Sequence, residues 1–242
     1  PLLPILSRLS KPQNREELIK KIEKGLILSI ASMIGLGALF ISLSTPIIIL
    51  IYGRGAFDNS AISLVSKLLI AYGIGMPAYL ARDFLVRVYY AIGDVKTPFK
   101  LSLIGIFINI LLDWVLIGGP SPDGNYFQFN FGAQGLVFAT VLINFLTCIY
   151  LLIRLNFHLK IIPIDKWVLK IIKLLFSGFL SILVISYLSS IIVWPKSLFG
   201  LSIGISIFSS ISILIFLFSA KFLHVNEVDD LIIIFRKKLT HF

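Results

Sequence analysis

The chain has 242 residues, 57% of them hydrophobic and 14% charged, with 20 Phe against 12 Asp plus Glu. Soluble domains carry about 25% charged and 45–50% apolar residues, so a water-soluble domain is excluded and an all-α, polytopic membrane protein is expected. The formal charge of +10 does not imply a nucleic-acid partner, because the basic residues lie in loops between apolar runs, where they set topology.

The chain opens on Pro1 and the apolar run Leu2 to Leu6 rather than on Met, followed by a basic segment. That is the pattern of the cut end of an earlier helix, so a fragment is expected, and no basic region precedes the run as a signal peptide would require. Gly25–Gly53 is 29 residues without charge and is expected to cross once, since about 20 apolar residues span the hydrocarbon. Gly53–Ser60 is a short connection. Ile62–Ile92 is long enough to cross but carries Lys67, Arg82, Asp83 and Arg87. Pro98–Gly118 crosses with Asp113 inside it, Gly118–Gly135 is a Pro/Gly-rich connection, and Gly132–Leu155 crosses back. Lys173 and Lys196 enclose 22 uncharged residues, and Lys196 and Lys221 enclose 24, giving the last two of six spans. Beyond them, Val228, Leu231, Ile232, Phe235 and Leu239 recur at helical spacing, as expected of an amphipathic helix on the inner leaflet.

Counted by alternate loops, 19 Lys and Arg fall on one side and three, Arg54, Lys67 and Lys196, on the other. Six spans thus obey the positive-inside rule and place both visible ends in the cytoplasm. Removing either polar span would scatter basic loops over both sides. Cys148 is the sole cysteine, which leaves no internal disulfide or thiolate metal cluster. His158, His224 and His241 lack metal-ligand spacing, and no nucleophile elbow or phosphate-binding glycine loop is present.

Function is therefore sought where polar residues enter the apolar spans. The 14 uncharged residues between Lys67 and Arg82 cannot cross alone, so at least one charge of that helix approaches membrane depth. Such a charge costs on the order of 2.5–3.5 kcal/mol at the bilayer centre on insertion scales. Arg82, Asp83 and Arg87 are thus candidates for a water-filled cavity or gate, in which Asp83 could pair with Arg82, adjacent but facing a different way on the helix, or with Arg87 at i,i+4; snorkelling at the cytoplasmic interface is the alternative. Asn109 and Asp113 also lie at i,i+4, placing an amide and a carboxylate on one helix face. With a hydroxyl from Thr140, one turn after Leu136, they could serve a hard cation such as Na⁺, which takes several oxygen ligands. Asp113 could instead merely end its helix at the outer interface beside Trp114.

These residues carry a further pattern. Leu3-Pro4-Ile5-Leu6-Ser7, Ile51-Tyr52-Gly53-Arg54-Gly55-Ala56-Phe57, Ala71-Tyr72-Gly73-Ile74-Gly75, Arg87-Val88-Tyr89-Tyr90-Ala91 and Asp94-Val95-Lys96-Thr97-Pro98 occur in that order. The series, covering residues 1 to 155, resembles the second half of the MurJ/MviN family, lipid II flippases of the MOP exporter superfamily. The last two spans match by position and hydropathy alone.

The resemblance implies a two-lobed helical transporter of the bacterial inner membrane. It would carry undecaprenyl-diphosphate-linked peptidoglycan precursor from inner to outer leaflet by alternating access, for cell-wall synthesis, and break no bond. Residues 1–155 would be second-lobe helices with the first one truncated. Residues 156–223 would be two added helices forming a groove for the lipid tail, and 224–242 a cytoplasmic tail. It further implies a sodium site from Asn109, Asp113, the Leu136 carbonyl and Thr140, and a cytoplasmic gate including Arg87. The first-lobe arginines and an aspartate of the second lobe's first helix have no counterpart here, which implies a missing N-terminal lobe as partner, beside lipid II and membrane lipids. The competing expectations are an exporter of another polyprenyl-linked saccharide or of an organic cation, a membrane-embedded enzyme acting on polyprenyl lipids, and a truncated, lipid-binding scaffold.

Overall fold

The computed structural model describes residues 2–9, 12–118, 131–159, 162–195, 197–231 and 233. Its α-helices are α1 (Leu2–Leu9), α2 (Arg15–Ser42), α3 (Ser44–Tyr52), α4 (Asn59–Ala91), α5 (Lys96–Ile117), α6 (Ala133–Leu159), α7 (Ile164–Ile191) and α8 (Leu198–Phe222), with no strand among the described residues. Helices satisfy every backbone group internally, which lipid demands of a spanning segment. Six of them, α2 and α4 to α8, are long and apolar enough to cross a membrane; α4 has the lowest mean hydropathy, 1.5, because it holds the charged residues.

The run Gly25–Gly53, expected as one rod, is corrected. α2 ends at Ser42, Leu43 adopts φ −113° and ψ 20°, and α3 restarts at Ser44. Pro46 has no N–H for the Ser42 carbonyl and crowds it with its ring, the usual origin of a sharp bend. Leu43 N–H to Leu39 O and Ile47 N–H to Leu43 O, both 3.0 Å, carry the chain around the bend.

Cα packing divides the chain into two compact units. Unit one is Pro1–Ile30 with Pro77–Val168; unit two is Ala31–Met76 with Leu169–Phe242.

In unit one, α5 and α6 pack along each other, and the largest buried side chains include Leu18, Leu26, Leu85, Tyr89, Leu151 and Leu155. Tyr89 brings a polar tip into this core and donates its hydroxyl to the Leu151 carbonyl at 2.9 Å, the pairing a buried phenol requires. The turn into α5 is set by Asp94. Its Oδ1 accepts from the Thr97 N–H at 3.0 Å and its Oδ2 from Thr97 Oγ1 at 2.6 Å. Val95 already has helical dihedrals, so Asp94 is the physical cap. Partial burial pulls the Asp94 carboxyl up, but the two Thr97 bonds, helped by the charge of Arg154, outweigh it and leave the group below its ordinary value.

In unit two, Leu39, Leu43, Ile185 and Phe208 form a buried cluster edged by Trp194 and Ile211. α2 and α4 touch backbone to backbone: a Cβ on Gly37 would lie 2.5 Å from the Gly73 carbonyl oxygen. That carbonyl is also the one that Pro77 leaves without a helical donor, so Gly37 gives the freed oxygen room. α7 and α8 are joined by two fully buried serines, Ser181 Oγ donating to Ser212 O at 3.0 Å with the hydroxyls 2.9 Å apart.

After α8, residues 227–231 are helical. Val228, expected on a membrane-facing stripe, is instead fully buried in protein with Val225. Glu227 forms a mostly buried ion pair with Lys170 of α7, so the segment docks onto its own unit. Phe235 and Leu239 lie outside the described residues.

Candidate functional site

Polar residues recur on one side of each helix of the α5–α6 pair. On α5 they are Ser102, Asn109 and Asp113; on α6 they are Thr140 and Asn144, spaced one turn apart. The helices approach closely at one end, where a Cβ on Gly135 would lie 2.6 Å from the Leu116 carbonyl oxygen. A cavity of about 300 Å³ opens between them, lined by Arg82 of α4, Ser102, Asn109, Thr140, Asn144 and Thr147 among apolar neighbours.

The structure thus brings one candidate of the gate and two of the cation set to a single cavity. Arg82 Nη2 donates to Ser102 Oγ at 3.1 Å. Its other nitrogen, Nη1, lies 3.8 Å from Asp83 Oδ1, a loose ion pair. Of the two local pairings open to Asp83, the one with Arg87 is not formed among the described residues, where both side chains are exposed, and the one with its neighbour Arg82 is. Arg87 does not line the cavity.

The cation set is partly assembled. Asn109 Nδ2 donates to Asp113 Oδ2 at 2.7 Å, so the i,i+4 spacing does place the two groups together, and the amide oxygen of Asn109 is left to face elsewhere. Asp113 Oδ1 is buried and has no hydrogen-bond partner among the described residues. An orphaned buried polar atom costs about 1–3 kcal/mol, and more when charged, so this oxygen calls for a partner. Thr140 Oγ1 donates to the Leu136 carbonyl at 3.0 Å, which ties up that carbonyl within α6. Asn109 and Thr140 line the cavity; Asp113 and Leu136 do not. The donor set fits a hard monovalent cation in chemistry, one carboxylate with neutral oxygens, and the unpartnered Oδ1 is where such an ion would bring its charge.

Sequence reasoning missed Ser102, Asn144 and Thr147. Asn144 is buried and donates through Nδ2 to the Thr140 carbonyl at 2.7 Å. Its place one turn after Thr140 was a readable signal; Ser102, twenty residues from Arg82, carried none until α4 and α5 were packed.

The comparisons fit this architecture. The family model described as lipid II flippase MurJ matches residues 1–201. A probable lipid II flippase MurJ of Synechocystis is 37% identical over 235 residues, covering 95% of this chain and 42% of its own. The lipid II flippase MurJ of Thermosipho africanus is 33% identical over 67% of this chain and 31% of its own length. A solved lipid II flippase MurJ in an inward closed conformation superposes with a TM-score of 0.60 at 30% identity, over 89% of this chain and 41% of that one. The chain therefore spans between about three tenths and two fifths of the length of these relatives.

Proposed function

Because the chain belongs to the MurJ family of lipid II flippases, we propose that it supplies the second lobe and the two added helices of a flippase that moves lipid II from the inner to the outer leaflet by alternating access. The observation that carries this reading is the family match across residues 1–201, supported by the six spans. The positive-inside distribution supports an inner-membrane protein with a cytoplasmic C-terminus. In this reading α7 and α8 flank the lipid tail, which stays in hydrocarbon, and nothing in the substrate is broken.

Arg82, Asp83 and Arg87 serve the polar path of the anionic headgroup. Arg82 is the member of the three that faces a cavity, held by Ser102; Arg87 stands exposed on the same helix, open to groups supplied by a first lobe, and Asp83 is exposed beside Arg82. Asn109, Asp113, the Leu136 carbonyl and Thr140 would hold Na⁺, which would neutralise the unpartnered carboxylate oxygen and so couple ion occupancy to the packing of α5 on α6. A diphosphate crossing a hydrocarbon slab needs more cationic groups than this chain places in one cavity, so transport requires a second, cationic lobe.

The test is complementation in cells depleted of their flippase, with lipid II translocation read by accessibility of its headgroup on the outer face. Residues 1–242 expressed with a first lobe from a relative should restore translocation, and residues 1–242 alone should not. Translocation by the chain alone would overturn the two-lobe reading; failure of every properly inserted pairing would overturn the assignment of cargo.

A further inference from the structure

Unit two holds a second cavity, lined by none of the residues assigned above to the headgroup path or the cation site. The bend between α2 and α3 and the turn between α7 and α8 enclose about 400 Å³, lined by Ser44, Thr45, Pro46, Ser189, Trp194 and Pro195 with a few neighbours, none of them charged. That volume lies in the range of roughly 300–1,000 Å³ usual for small-molecule sites.

Its walls are fixed without a ligand. Trp194 Nε1 donates to the Ser189 carbonyl at 3.3 Å, and the indole packs on Phe208 with ring centroids 5.3 Å apart. A Cβ on Gly204 would stand 3.0 Å from Trp194 Cζ3, so the bare glycine lets the ring lie down on α8. On the opposite wall Ser42 spends its hydroxyl on the Ala38 carbonyl at 2.7 Å, while its own carbonyl has lost its helical donor to Pro46. The hydroxyls of Ser44 and Thr45 make no hydrogen bond among the described residues.

Among the described residues the cavity thus offers two hydroxyls, a spare carbonyl acceptor and a rigid aromatic edge, with no charge to match a phosphate, carboxylate or ammonium. Groups that both donate and accept, on a ring with an apolar face, satisfy this set: the hydroxyls of a neutral sugar. The cavity lies at the helix ends opposite the basic loops, and acyl chains attached to such a sugar would remain in lipid. We propose that this cavity binds the neutral glycosyl headgroup of a lipid in the outer leaflet. The proposal depends on the six-span topology and not on which cargo the protein carries.

The test uses the 242-residue chain in phosphatidylcholine nanodiscs doped with monoglucosyl diacylglycerol or with the same diacylglycerol lacking the sugar, the retained lipid being read by native mass spectrometry. The glucosyl lipid should be retained about ten-fold better, and the isosteric pair Ser44→Ala/Thr45→Val should abolish that preference, as loss of two neutral hydrogen bonds implies. Gly204→Leu, which drives the indole into the cavity, should abolish it independently and serves if the double variant fails to insert. Equal retention of the two lipids, or a preference unchanged in properly inserted variants, overturns the proposal. Displacement of the glucosyl lipid by soluble maltose would keep the sugar site and overturn its lipid source.

Discussion

Replacing Gly37 by Ala isolates the cost of the helix crossing in unit two. The new Cβ would lie 2.5 Å from the Gly73 carbonyl oxygen and 3.3 Å from its carbon. Both are backbone atoms, so no rotamer change relieves the clash, and α2 and α4 must separate by several tenths of an ångström along their contact. Overpacking of this kind costs typically 1–3 kcal/mol, while Gly to Ala within a helix returns up to about 1 kcal/mol. Gly35→Ala is the matched control. It lies on the same helix and has the same propensity gain, but its Cβ would meet the Phe216 ring at 3.1 Å, a side chain that can yield. The difference between the two variants cancels the propensity and leaves the steric cost, which should be about 1–3 kcal/mol against Gly37→Ala. Reversible unfolding in mixed micelles, followed by circular dichroism as denaturing detergent is raised, measures both. If Gly37→Ala matches Gly35→Ala within about 0.5 kcal/mol, the scatter within which independent substitutions add, the backbone contact is not a tight one and the reasoning fails.

Three further outcomes are expected. Asp94→Ala should cost about 0.5–2 kcal/mol through loss of the α5 cap. Because the folded carboxyl lies below its ordinary value, its contribution is fully present above the unfolded carboxylate pKa of about 3.9 and fades as pH falls through the folded value. The gap between wild type and Asp94→Ala in the unfolding free energy should therefore hold at neutral pH and close in acid; a gap that widens in acid contradicts the assignment. Lys170→Met should destabilise by roughly 3 kcal/mol, since it strands a mostly buried Glu227 carboxylate, whereas Lys170→Met/Glu227→Leu should recover most of that loss in the same unfolding assay. Under the proposed cation site, wild type should unfold at higher temperature in NaCl than in choline chloride at equal ionic strength, and Asp113→Asn should remove the difference; an equal sodium response in the variant eliminates Asp113 as a ligand.

The number of spans was legible because lipid leaves few choices: an apolar run of about 20 residues or more has to cross as a helix, and the alternation of basic loops argued for keeping the two spans that carry charges. The bend at Leu43 was legible in principle, since Pro46 stands inside the uncharged run Gly25–Gly53, but hydropathy does not register the loss of one N–H. The Asn109–Asp113 bond followed directly from i,i+4 spacing. The choice of partner for Asp83 did not, because both Arg82 and Arg87 were within reach and helical spacing does not say that Asp83 and Arg87 stay apart while Arg82 reaches Ser102. Val228 was misjudged for a similar reason: its periodicity announced an apolar face but not whether lipid or α7 and α8 would cover it, and the Lys170–Glu227 pair that decides the matter joins residues 57 apart.

The Ser181–Ser212 bond sits where neither water nor lipid can offer a substitute partner. Polar bonds between spanning helices are worth about 0.6 kcal/mol on average and up to about 1.7, small against thermal unfolding but large against the sliding of two greasy rods past each other. A slip of one residue in register would leave a hydroxyl facing hydrocarbon. α7 and α8 should consequently respond to a thicker or thinner bilayer by tilting in step, as a single blade with a fixed edge.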